Sequence, residues 1–253
     1  MHNYSEFLTV RKHPLMLLSV LLVTGAFFRI STQTLKPQDI LMQLQEISSS
    51  TLADAVDEVV GRRGYMSFDM RPLGRTRRMA GRAKTVLYGP LAENSKEKAI
   101  GPQFGVALID ESGPGDVMVA VTGDLNITGL GGLMATAASE RGMEGVVVDG
   151  AIRDLDQIET LGLPVFSRST SPSTMVGRYT SLARDIPVAC GGVTVYPGDY
   201  IVGDRDGVVS IPAGHIREVL RRAQELEKTE QKMIPMIRKV KSLQKVLDVF
   251  KRI

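Results

Sequence analysis

Between Val117 and Ser167 the chain alternates short apolar runs with segments of helical spacing, and that alternation leaves few folds open. Val117 to Val121 (VMVAV) follows the turn Gly113-Pro114-Gly115-Asp116 and is bounded by Gly123. It reads as a buried strand. Thr128-Gly129-Leu130-Gly131-Gly132 reads as a glycine-rich loop. It runs into a helix, Leu133 to Arg141, with Leu133, Met134, Ala137 and Ala138 on one face and Gly142 as its stop. Gly145-Val146-Val147-Val148-Asp149 is a second buried strand, ending at Gly150. Ala151-Ile152-Arg153-Asp154 leads to a helix, Leu155 to Leu161, closed by Gly162, and Pro164 to Ser167 is a third strand. Strand, loop, helix, strand, loop, helix, strand is the pattern of a parallel α/β unit.

The flanking segments are assigned on the same grounds. Pro37 to Ile47 has apolar residues at helical spacing (Ile40, Leu41, Leu44, Ile47), with Pro37 suited to a first turn. Ser48 to Thr51 supplies a cap for a second helix, Leu52 to Val60, which Gly61 ends. Met79 to Tyr88 reads as a strand and Gln103 to Asp110 as a short helix. From Ile186 onward short strands alternate with tight turns: Val193 to Tyr196, Tyr200 to Val202 and Val208 to Ile211, joined by Pro197-Gly198-Asp199 and Gly203 to Gly207. A helix after Pro212 carries Ile216, Val219, Leu220, Ala223 and Leu226. Pro235 is expected to interrupt it, and a last amphipathic helix runs from Met236 to Phe250. Three regions are expected: residues 1–35, a folded body over 36–212, and a basic helical tail over 213–253.

Composition removes several classes of chemistry. One cysteine, Cys190, excludes an internal disulfide framework and a CxxC metal site. The three histidines are His2, His13 and His215, too few and too scattered for a histidine zinc site. An enzyme of this composition must work with carboxylates, Arg, Lys, backbone amides or a bound hard metal. The net charge of +3 is uneven: Arg217 to Ile253 holds eleven Lys and Arg against five Asp and Glu, and the rest holds twenty against twenty-three. The body is therefore slightly acidic, so no nucleic-acid partner is expected for it. The tail reads as a solvated or oligomer-packing helix. Leu15 to Phe28 is an uncharged apolar run of 14 residues behind Arg11 and Lys12. That is short of the ~20 residues of a bilayer span but suits a signal-peptide core, with Thr24-Gly25-Ala26 as a cleavage site. A cytoplasmic location with no membrane partner is expected, with export or anchoring through residues 15–28 as the alternative. Two N-x-[ST] sequons occur, at Asn3 and at Asn126.

Two loops could carry chemistry. Gly129 to Gly132 opens a helix, where unpaired N–H groups and the helix dipole attract an anion. The loop lacks the Lys-[ST] of a P-loop and the GxGxxG spacing, so a nucleotide is not expected. Arg153-Asp154 follows the next strand, at the sheet edge where α/β proteins bind ligands. Arg153 offers a planar fork for a carboxylate or enolate, and Asp154 can hold Mg²⁺ by one oxygen. Plainer roles stand beside these: a tight turn at the glycines, and for Asp154 a cap on the helix it precedes. Both loops leave successive strands of one sheet, so they should open at the same edge. Asp149, Asp204 and Asp206 read as structural supports, Cys190 as a core residue and His215 as a surface residue.

The ordered run Gly131-Gly132-Leu133-Met134-x3-Ala138-x2-Arg141-Gly142-x2-Gly145-Val146-Val147-Val148-Asp149-Gly150-x2-Arg153-Asp154 resembles the RraA-like family. That family includes 4-hydroxy-4-methyl-2-oxoglutarate and 4-carboxy-4-hydroxy-2-oxoadipate aldolases. Ser50-Thr51-Leu52-x-Asp54-Ala55, Pro114-Gly115-Asp116-Val117, Pro164-Val165-Phe166, Gly191-Gly192-Val193, Pro197-Gly198-Asp199 and Gly203-Asp204-x-Asp206-Gly207-Val208-Val209 extend the likeness over about Lys36 to Leu226. The resemblance implies a layered α/β/β/α fold like the swivelling phosphohistidine domain, in a homotrimer or a dimer of trimers. It implies a metal-dependent class II pyruvate aldolase, with oxaloacetate decarboxylase-like activity, using Mg²⁺ or Mn²⁺. On this chain Arg153 would bind the pyruvyl group and stabilise the enolate. Asp154 would hold the metal, and Gly131, Gly132, Leu133 and Met134 would cradle the substrate carboxylate.

The chain departs from the family pattern at one position. The aldolases carry an acidic residue separated from the Arg-Asp pair by twenty residues, and here that position is Gly132. Proton transfer would lose its group, which is worth about 10²–10⁴-fold in rate, unless Asp124 or Glu140 substitutes. The leading expectation is a lyase that cleaves or decarboxylates a small 2-oxo acid to pyruvate. The alternatives are a non-catalytic binding protein that regulates an endoribonuclease or another partner, and a lyase or hydratase acting on a sugar-acid-derived 2-oxo acid.

Overall fold

The computed structural model describes residues 36–74, 78–92 and 102–251. The apolar run Leu15 to Phe28, its signal-like reading and the sequon at Asn3 lie outside the described residues. In chain order the elements are α1 (Pro37–Glu46), α2 (Ser49–Val60), β1 (Arg71–Pro72), β2 (Met79–Pro90), α3 (Gln103–Asp110), β3 (Asp116–Val121), β4 (Thr128–Leu130), α4 (Gly132–Glu140), β5 (Gly145–Ile152), α5 (Leu155–Leu161), β6 (Val165–Thr170), β7 (Tyr179–Arg184), β8 (Val188–Cys190), β9 (Val193–Val195), β10 (Tyr200–Gly203), β11 (Val208–Ile211), α6 (Ile216–Val240) and α7 (Leu243–Phe250).

Among the described residues nine strands form one sheet in the order β1-β6-β5-β3-β2-β10-β11, with β4 beside β5 and β7 beside β2. The central run is parallel, as the alternating pattern requires: β2 with β3, β3 with β5, and β5 with β6. All eight residues of β5 are buried, as expected of a parallel strand covered on both faces. The sheet curls until β10 faces β6, four places away on its path. A Cβ at Gly203 would stand 2.7 Å from the Phe166 ring.

Alternation along the strands sorts their side chains into three cores. Met118 and Ala120 of β3, with Val146 and Val148 of β5, pack outward against α3, α4 and α5. Val117, Val119 and Val121 of β3, Val147 of β5, Phe166 and Ile201 fill the space inside the curled sheet. Tyr200, Val202, Val209 and Ile211 turn the opposite way, against α1, α2 and the first half of α6. The result is a mixed, layered α/β/β/α fold. Asp204 ties the layers together, accepting hydrogen bonds from the Ser49 N–H (2.8 Å) and Oγ (2.6 Å) at the start of α2 and from Arg78 Nη1 (3.3 Å). Its reading as a structural aspartate holds.

Four local expectations are corrected. Thr128 to Leu130, read as loop, forms a short parallel strand on β5, because the Ala151 and Arg153 N–H groups find acceptors at Ile127 and Leu130. For the same reason β5 continues past Gly150 to Ile152. β7 was not anticipated: its YTSLAR sequence carries little apolar alternation, and it pairs antiparallel with the end of β2. Pro235 does not end α6. The helix runs on to Val240, where Pro235 is exposed and the carbonyl it strands can meet water. The break falls instead at Lys241, in the left-handed region (φ 50°), and at Ser242, whose Oγ accepts from the Lys245 N–H to cap α7. Among the described residues no helix is long and apolar enough to cross a membrane.

Phe166 is fully buried where the curled sheet meets itself. Phe166→Ala should cost about 3–5 kcal/mol. Urea unfolding would show this as a lower midpoint at an unchanged slope.

Candidate active site

The loops that leave β4 and β5 meet in one cleft of about 170 Å³. Gly131, Gly132, Leu133 and Met134 line it from the start of α4, and Arg153 and Asp154 from the end of β5. All six expected site residues are thus brought together. Thr174, Met175 and Val176 form a wall that the sequence reading missed, and Pro102 closes one side. The only sequence trace of that wall is the hydroxyl-rich run from Ser169 to Thr174. Those hydroxyls work as loop fasteners: Ser173 Oγ donates to the Asn126 carbonyl (2.5 Å), and Thr128 Oγ1 donates to the Ser171 carbonyl (3.0 Å). The sequon at Asn126 therefore has its threonine buried and engaged.

The start of α4 supplies anion-binding groups. Its first intrahelical bond runs from the Ala135 N–H to the Gly131 carbonyl. Among the described residues no hydrogen bond reaches the Leu133 or Met134 N–H, so both donors stand open at the positive end of the helix. The Gly132 N–H is taken by Asp154 Oδ2 at 2.8 Å. That bond corrects the expected cap. Asp154 holds the residue position ahead of α5, but its backbone is left-handed (φ 62°, ψ 42°) and its side chain makes no bond to that helix. The left-handed backbone, tolerated by Asp better than by most residues, turns the carboxylate onto the neighbouring helix.

Arg153 lies beside it. Nη1 donates to the Ser173 carbonyl (3.1 Å), which fixes the guanidinium, and Nε lies 3.5 Å from Asp154 Oδ2. Nε is buried without a hydrogen-bond partner among the described residues. The Arg153 and Asp154 side chains are 39% and 43% exposed, so the pair is open to the cleft from its wall. No hydrogen bond engages Asp154 Oδ1 among the described residues. One free carboxylate oxygen, with room for water and substrate, fits an Mg²⁺-type ion. No cluster of three or more His, Cys, Asp or Glu occurs among the described residues, so a cage built wholly of protein ligands is not on offer there.

Neither proposed substitute for the missing acid lines the cleft. Asp124 is held by the Asn126 N–H (2.8 Å) and the Tyr179 hydroxyl (3.3 Å). Glu140 is exposed at the far end of α4, ~12 Å along the helix from Gly132. Asp149 is structural, as expected: its two oxygens accept from Arg168 Nη1 (2.9 Å) and the Gly191 N–H (2.7 Å), which fastens β5 to β6 and to the turn after β8. Cys190 is fully buried, and burial raises its thiol pKa, which removes it as a nucleophile. His215 is exposed ahead of α6. A larger hollow of about 800 Å³ lies between α1 and the start of β3. It joins Arg82 with the carboxylates of Glu46, Asp116 and Glu144 and includes the start of α1, whereas the smaller cleft sets an Arg-Asp pair beside the open amides of α4.

The family model described as Aldolase/RraA, RraA-like, matches residues 49–210. A protein of Halalkalibacterium halodurans bearing the name "Putative 4-hydroxy-4-methyl-2-oxoglutarate aldolase" is 32% identical over 199 residues, which is 76% of this chain and 86% of that protein. A solved structure from Pseudomonas syringae pv. tomato, titled as an uncharacterized protein, superposes with a TM-score of 0.75 at 28% identity and covers 85% of this chain and 96% of its own. The structure of Streptomyces coelicolor RraAS2, titled an unusual member of the RNase ES inhibitor RraA protein family, superposes with a TM-score of 0.67 at 30% identity, over 76% and 94% of the two chains.

The support beneath the site is open to a pH test. The Arg168 guanidinium, hydrogen-bonded to Asp69, holds that carboxyl below its ordinary pKa of 3.8. A depressed folded-state pKa gives stability that is present above 3.8 and lost as pH falls through the lower value. Arg168→Met should cost about 3 kcal/mol near neutrality, because Asp149 loses its cation. It should also flatten the fall in stability below pH 4. Denaturant unfolding at pH 7 and pH 3 on both proteins measures the two effects.

Proposed function

The chain belongs to the RraA-like family, and on that premise we propose that it is a lyase that converts a small 2-oxo acid to pyruvate through an enolate. The substrate is of the 4-hydroxy-4-methyl-2-oxoglutarate or oxaloacetate type. One observation carries the reading: two open helix N–H groups, a fixed guanidinium and a carboxylate with a free oxygen face one cleft of metabolite size. The name of the Halalkalibacterium halodurans relative supports the same chemistry.

The Leu133 and Met134 N–H groups hold the substrate's C1 carboxylate. Arg153, steadied by the Ser173 carbonyl, points its remaining N–H groups at the C2 oxygen. When the C3–C4 bond breaks, its electron pair moves into the C2–C3 bond and negative charge gathers on that oxygen. Donors already in place stabilise that charge at little reorganisation cost. Asp154 Oδ1 would hold Mg²⁺ or Mn²⁺, which when bound would supply further positive charge to the cleft. Asp154 Oδ2, on the Gly132 N–H, keeps the carboxylate oriented for this.

A homotrimer or dimer of trimers, which the family resemblance implies, is part of the same proposal. A cytoplasmic site of action belongs to the same proposal. A second reading, a binding protein of the kind the Streptomyces coelicolor title describes, draws on Gly132, which gives the cleft no proton-transfer group at that position.

Pyruvate release from both substrates, with Mg²⁺ or Mn²⁺ and with EDTA, tests the choice against the uncatalysed metal background. Arg153→Ala should lower turnover by about 10²–10³-fold, and Asp154→Ala should abolish the metal dependence. Turnover unchanged in Arg153→Ala overturns the mechanism. No metal-dependent release from either substrate favours the binding protein.

A further inference from the structure

The side of Gly132 on which a side chain would project is already filled. An ideal Cβ there would stand 2.6 Å from Gln157 Cδ and 3.1 Å from its Nε2, with Oε1 nearer still. Gln157 lies in the first turn of α5, three residues after Asp154. Its Nε2 donates to Thr136 Oγ1 (3.2 Å), and Thr136 Oγ1 donates to the Gly132 carbonyl (2.8 Å). One carboxamide from α5 is thus laid over the first turn of α4, held by the residue one turn along and pressed against a glycine that lines the cleft.

We propose that Gln157 is a specificity-determining residue: its carboxamide fills the space beside Gly132 into which a side chain at that position would project, and a neutral hydrogen-bonding group there selects between two ways of making the same enolate. The inference rests on the lyase reading. In oxaloacetate the C3–C4 bond breaks, its electron pair enters the C2–C3 bond, and C4 leaves as CO₂. The enolate then takes a proton from water, and no group need accept a proton beforehand. In a 4-hydroxy-2-oxo acid the same bond breaks, but the C4 hydroxyl must give up its proton as the carbonyl product forms. That proton needs an acceptor. A carboxamide donates and accepts hydrogen bonds but takes no proton at any working pH. Among the described lining residues the one carboxylate is Asp154, with Oδ2 committed to Gly132. The cleft therefore favours loss of CO₂ over aldol cleavage. A side chain at position 132 and Gln157 in its present place are mutually exclusive.

The experiment measures pyruvate formation from oxaloacetate and from 4-hydroxy-4-methyl-2-oxoglutarate with Mg²⁺ between pH 5 and 9, for the wild type, Gln157→Glu and Gln157→Ala. An acid in the first turn of α5 suits the helix dipole, so Gln157→Glu should fold, and thermal melting confirms it. The wild type should act faster on oxaloacetate. Gln157→Glu should raise the aldol-to-decarboxylation ratio by about tenfold or more, within the range that a placed proton acceptor supplies. It should also add an acid limb to the aldol pH profile that Gln157→Ala lacks. An active wild type whose ratio and pH profile are unchanged in Gln157→Glu overturns the role of Gln157 and leaves the lyase reading intact. A wild type that prefers the hydroxylated substrate overturns it as well. A wild type inactive on both overturns the lyase reading, and the specificity role with it.

Discussion

The site depends on β5 being held from every side. The strand lies between parallel neighbours, with all eight residues buried, and backbone bonds to β3, β4 and β6 leave it no freedom to slide. A one-residue shift would turn Val147 out of the inner core and Val148 into it. The fixed register delivers Arg153 and Asp154 at a fixed height beside the start of α4. The last backbone link, Arg153 N–H to the Leu130 carbonyl at 3.1 Å, ties the functional pair to the loop that carries the open amides. Asp149, inside the strand, adds a charged fastener on the other face through Arg168 and the Gly191 N–H.

Within that frame the cleft's polarity is one-sided. Open N–H groups and a guanidinium face it, and the one carboxylate among the described lining residues has an oxygen tied to a backbone donor. The local field welcomes an anion and steadies charge that builds on an oxygen near Arg153. On the proposed lyase reading, the arrangement would separate two demands of carbon–carbon cleavage: it would stabilise the product enolate and leave proton transfer to other groups.

Much of this was legible in the sequence because it rests on local pattern. The valine runs at 117–121 and 145–149 have no good alternative to buried parallel strands, and the glycines at 131 and 132 mark where the backbone must open a helix. Arg153-Asp154 is readable because it follows such a strand directly. What escaped depends on distant partners. β7 owes its existence to the edge of β2, and its own residues barely alternate. The wall at Thr174 to Val176 is placed by bonds from Ser173 to Asn126 and from Arg153 to Ser173, which join segments 20 to 47 residues apart. Pro235 misled because a proline rule for helix interiors assumes that the stranded carbonyl is costly, and in an exposed turn water satisfies it.

Asp154 shows why the cap expectation failed in an informative way. Capping α5 would have used the carboxylate where it serves stability. Instead the backbone adopts a left-handed conformation that costs an ordinary residue about 1 kcal/mol or more, and the carboxylate goes to the Gly132 N–H. A charge-assisted bond to a helix start returns a similar amount, so the exchange is near neutral for folding. What it changes is position: one oxygen is locked to α4, the other is free, and Arg153 is held 3.5 Å away. A conformation that gains little stability while fixing three polar groups around one hollow serves the geometry of the hollow more than the stability of the fold.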